Sequence, residues 1–88
     1  MTFQAKTPED VLPDGLDFTY INGIKARKGS IAAAMANAEI IGSPQATEQE
    51  KAAAIIAFKE LIPTLKALRL GQFLIWKNPQ CQQMMDEV

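Results

Sequence analysis

Lys25, Arg27 and Lys28 lie close together and run directly into Gly29 and Ser30. A helix start at Ser30 would present free backbone amides and the positive end of a helix dipole, which favour a phosphate or a carboxylate. Lys and Arg beside those amides add charge, and Arg adds a two-pronged hydrogen bond. The anion-binding candidates are therefore Lys25, Arg27, Lys28 and Ser30. A structural reading competes with this one. Ser30 is itself a good helix cap and would satisfy one amide. Basic residues that close an edge strand also guard that edge against aggregation.

Other chemistry finds less material. The chain has no histidine, which removes the imidazole base of Ser–His and Cys–His nucleophiles. Its single cysteine, Cys81, falls in the first turn of a predicted terminal helix, where a helix dipole lowers a thiol pKa. The neighbours Gln80, Gln82 and Gln83 add no charge, so Cys81 reads as an ordinary, partly buried thiol. Glu39, Glu48, Glu50 and Glu60 read as solvated helix charges. One thiol without histidine cannot close a zinc shell, and no nucleotide-binding fingerprint is present. The expectation is no enzyme activity, no metal and no cofactor.

The segment 64–77, TLKALRLGQFLIWK, is unusual in its apolar content. Drawn as a helix, it gathers Ala67, Leu68, Gly71, Leu74 and Ile75 on a core face. Lys66, Arg69 and Lys77 fall on another arc. Phe73 lies among those cations and Trp76 beside Arg69, so both rings would leave the core face. Either the terminal helix folds over them with Met84 and Met85, or a second molecule covers them. The interface candidates are Phe73, Trp76, Arg69, Met84 and Met85.

These residues need elements to position them. Residues 1–16 contain Pro8, Pro13 and an Asp14-Gly15 pair, and read as an extended arm ending in a turn. Asn22-Gly23 separates two short runs of β-formers, so 17–28 reads as a two-residue hairpin with strands 17–21 and 24–28. Phe18, Tyr20, Ile24 and Ala26 alternate with polar residues, and Ile21 breaks the pattern. Ser30 then caps an alanine-rich helix over 31–41, which Gly42 ends in a left-handed conformation. Its small face suggests a central position. Thr47 and Glu50 have capping-box spacing, and a helix follows from about residue 48 to 61 or 62. Pro63 should kink or break it, with the helix resuming from 64 to about 77. Asn78-Pro79 opens a short terminal helix, 79 to about 87.

The fold class expected is α+β, mainly α: an N-terminal arm and short hairpin followed by three to four helices in one small domain. The helical part is 30–88. A formal net charge of −1 gives no global field for a polyanion. An acidic start to the second helix also disfavours a helix-turn-helix reading, so nucleic acid is not the expected partner. The longest near-apolar stretch, 52–58, is too short to span a bilayer. One cysteine and no apolar leader fit a soluble, cytoplasmic protein. A small core without disulfide or metal gains most readily from self-association. The function expected is a small structural or protein-interaction module that forms a homo-oligomer, most simply a dimer. The alternative is nucleic-acid or other anion binding through residues 25–28.

Overall fold

The computed structural model describes Thr7 and residues 15–87. Strands β1 (Phe18–Ile21) and β2 (Ile24–Arg27) form an antiparallel hairpin. Helices α1 (Ser30–Gly42), α2 (Glu48–Ala67) and α3 (Pro79–Glu87) follow, with a single 3-10 turn at Leu70–Gln72. The fold is therefore α+β and mainly α, with three helices among the described residues. The expected arm lies outside the described residues apart from Thr7, Gly15 and Leu16. Gly15 takes a φ of +86°, as a turn there requires.

The hairpin turns on Asn22 and Gly23, whose φ values of +50° and +80° are those of a type I′ turn. Its register pairs Ile21 with Ile24, Tyr20 with Lys25, Thr19 with Ala26 and Phe18 with Arg27. Directly opposite residues share a face. Phe18, Tyr20, Lys25 and Arg27 thus form one face, and Thr19, Ile21, Ile24 and Ala26 the other. The sequence grouping of Phe18 and Tyr20 with Ile24 and Ala26 is corrected by this register. Ile21, which broke that pattern, belongs to the inward set. Ala26 is buried, while Phe18, Tyr20, Lys25 and Arg27 are all exposed.

Helix α1 begins differently from the sequence expectation. Gly29 is its N-cap, with φ +83°, and no side chain caps the helix. The Ser30 hydroxyl instead donates to the Arg27 carbonyl at 2.7 Å, tying the helix start to the end of β2. At the other end Gly42 is still helical, and Ser43 is the extended C-cap. Space is what glycine supplies here, because a Cβ at Gly42 would stand 3.0 Å from Asn78 Nδ2. Of the alanines, only Ala34 is fully buried in α1; Ala32, Ala33 and Ala36 are exposed. The small-residue face is therefore not a central packing face.

Helix α2 opens with the expected capping box. The Glu50 amide donates to Thr47 Oγ1 at 3.1 Å, and the Thr47 amide donates to Glu50 Oε1 at 2.8 Å. The helix then runs through Pro63 to Ala67 without a break. Proline interrupts helices because it lacks an amide proton and crowds the carbonyl four residues back. Here Pro63 and Lys59 are both exposed, on the solvent side of the helix, while Ile62, Thr64 and Leu65 are buried on either side. Packing of that buried stripe offsets the local cost of about 3 kcal/mol.

The helix does not resume to residue 77. Asn22 Nδ2 donates to the Ala67 carbonyl at 3.0 Å, so the tip of the hairpin caps the last turn. Arg69 then adopts a left-handed conformation, φ +60°, and the chain turns away through Leu70–Gln72. Helix α3 starts at Asn78, whose Oδ1 accepts from the amides of Gln80 and Cys81 at 2.9 and 3.2 Å.

The core lies among the three helices. It contains Ala34 and Ile41 from α1, Ala54, Phe58, Ile62 and Leu65 from α2, and Cys81, Met84 and Met85 from α3. The α2 positions repeat at spacings of four and three, one stripe of the helix.

Candidate functional site

The loss of a helix over 68–77 changes where its side chains go. Trp76 packs on the core, with its ring edge-on to Phe58 at 5.2 Å between centroids. Its backbone amide donates to Gln82 Oε1 at 2.8 Å, which ties the segment to α3. Met84 and Met85 are buried in the chain's own core, not on a face open to a partner. Phe73 is 78% exposed and Arg69 is exposed beside the turn. The five interface candidates are thus divided. Three sit in or against the core, and two lie on the surface. Leu74 and Ile75, placed by the helical wheel on a core face, are instead 60% and 79% exposed.

Leu74 and Ile75 meet a second apolar set. Ile31 and Met35, one turn apart on α1, are exposed. With Leu70, Leu74, Ile75 and Trp76 they line an open cleft of about 200 Å³. Its walls are all apolar side chains from two elements that meet only in the folded chain. Sequence reasoning missed Ile31 and Met35, although their spacing of four residues was a signal. It could not place Leu74 and Ile75 without knowing where α2 ends.

The basic candidates separate only in part: Arg27, Lys28 and Ser30 line one cleft, and Lys25 does not. Ser30 is buried, and its hydroxyl is engaged by Arg27. It borders a second cleft of about 190 Å³, between the hairpin and the start of α1, which Arg27 and Lys28 also line together with Thr19, Ile21, Ala26 and Leu68. The accessible lining is mainly apolar, with the two basic residues at its edge by the start of α1. Lys25 and Arg27 belong to the opposite face of the hairpin, and Lys28 is exposed just beyond its end. There the Lys25 ammonium stands 4.2 Å from the Phe18 ring centroid. Phe18 and Tyr20 lie edge to face, 5.8 Å apart at 90°. Phe18 and Tyr20 were absent from the sequence candidates, yet the register of a two-residue turn would have placed them beside Lys25 and Arg27.

Cys81 is fully buried, and burial pushes its thiol pKa up. That keeps it protonated at neutral pH, the opposite of an activated nucleophile. Among the described residues, no group of three His, Cys, Asp or Glu side chains is placed to hold a metal ion. No helix among them is long and apolar enough to cross a membrane. Comparison with protein-family models, curated proteins and solved structures found no match to this chain.

Proposed function

We propose that this protein is a small interaction module that self-associates through the apolar cleft between α1 and residues 70–76. The observation that supports it is the convergence of Ile31, Met35, Leu74 and Ile75, exposed by 42%, 60%, 60% and 79%, on one cleft. Apolar patches of this kind mark interaction sites on small proteins. Covering such side chains is worth on the order of 1–2 kcal/mol each. A second copy is the occupant proposed, because a two-fold contact uses the same patch twice and needs no other component. Trp76, held against Phe58 at the base of the cleft, gives the contact a rigid floor.

Sedimentation over a wide concentration range tests the reading. Wild type is expected to be dimeric at high micromolar concentration and to dissociate on dilution. Ile75→Asp, at an exposed position, is expected to fold and remain monomeric throughout. A wild type that stays monomeric at the highest concentration, or an Ile75→Asp variant that dimerises equally well, overturns the proposal.

A further inference from the structure

The outer face of the hairpin combines two kinds of side chain. Strand β1 contributes Phe18 and Tyr20, and β2 contributes Lys25 and Arg27, each cation directly across from a ring. Neither strand contains a carboxylate. Tyr20 is the most open of the rings on this face, 67% exposed. Phe18 is less open and makes both neighbouring contacts. It meets Tyr20 edge to face and carries the Lys25 ammonium over its ring. Phe18 is thus a positioning residue that props the tyrosine and holds the lysine.

We propose that this face binds single-stranded nucleic acid, with a base stacked on Tyr20 and flanking phosphates held by Lys25 and Arg27. Single strands are recognised by this pairing of aromatic platforms with cations that track the backbone. The alternation matters for the choice of partner. An acidic peptide would satisfy the cations and leave the face of Tyr20 without a partner. A duplex keeps its bases stacked and offers none to the ring. A single strand supplies both a π-face and a charge with every nucleotide, and the ring–cation pairs repeat every two residues, about 7 Å along the strand. The overall charge of −1 works against long-range attraction. The affinity must therefore come from contacts on this face, in the micromolar range and at low salt. The face shares no residue with the apolar cleft, so this proposal and self-association stand or fall separately.

Fluorescence anisotropy with labelled oligo-dT and oligo-U tests it, using the full chain at low salt. Saturable binding is expected, weakening with salt at a log–log slope of about −1.4 for two phosphate contacts. Tyr20→Ala should weaken binding roughly ten-fold or more, and Tyr20→Phe should retain it, because stacking needs the ring and not the hydroxyl. The double variant Lys25→Glu/Arg27→Glu should abolish binding. These positions are exposed, and circular dichroism confirms that each variant is folded. No saturable binding by wild type at low salt overturns the proposal, as does a Tyr20→Ala variant that binds like wild type. Equal affinity for phosphatidylserine vesicles, polyglutamate or duplex DNA also overturns it, since the surface would then answer to charge alone.

Discussion

At the scale of single residues, two ionisable side chains are set by their immediate surroundings. Burial pushes the Cys81 thiol pKa up. Glu50 is held below the ordinary carboxylate value of 4.5 by its backbone hydrogen bond from Thr47, and then by the Thr47 side chain. A lowered folded pKa means that the charged form stabilises the fold. That contribution is present above the ordinary value and is lost as pH falls through the lowered one. Glu50→Gln keeps a capping side chain but removes the titration. Denaturant melts between about pH 6 and about pH 3 should therefore show wild type losing an increment over the variant only below about pH 4.5. A constant difference across that range would place the effect in something other than the charge on Glu50.

At the scale of elements, the hairpin and α2 determine each other's ends. Asn22 serves twice, as a left-handed turn residue and as a donor to the Ala67 carbonyl. Asn22→Gly keeps the turn conformation and removes the hydrogen bond, so it should cost about 1 kcal/mol. Asn22→Ala also forces an alanine into positive φ and should cost about 1–2 kcal/mol more. Chemical denaturation of the two variants measures both parts. Equal losses would mean that the turn strain is relieved by rearrangement and that only the hydrogen bond stabilises. The capping box at Thr47 and the cap at Asn78 were legible in the sequence because their partners lie within three residues. The end of α2 was not, since the donor that caps Ala67 is 45 residues away. Pro63 misled for a related reason: its local cost is real, and burial of Ile62 and Leu65 outweighs it.

At the scale of the whole molecule, the segment after α2 divides between inside and outside. Trp76 folds back onto Phe58, and Phe73 stays in solvent. Trp76→Ala should therefore destabilise the chain by about 2–4 kcal/mol, the range for a large aromatic that is partly buried. Phe73→Ala, measured at low concentration, should lie within about 0.5 kcal/mol of wild type. Similar losses for both would mean that Phe73 is covered in the folded chain in solution. Because the Trp76 ring packs on Phe58 within its own chain, part of its blue-shifted emission should already be present in the monomer.

The sequence by itself determined the hairpin, the three helices and most of their N-terminal boundaries. Those rest on interactions between residues close in the chain: the Asn22-Gly23 turn, the Thr47–Glu50 box, the Asn78-Pro79 start. Only the tertiary structure decided where α2 stops, why residue 42 must stay small, and which rings remain exposed. Each of those outcomes depends on a partner distant in sequence, whether Asn22 for Ala67, Phe58 for Trp76 or Asn78 for Gly42. Both candidate surfaces follow from the same physics. The cleft forms where α1 meets a segment that local periodicity would have coiled into a helix. The ring–cation face forms because a two-residue turn brings Phe18 and Tyr20 across from Arg27 and Lys25, and α2 covers the opposite side.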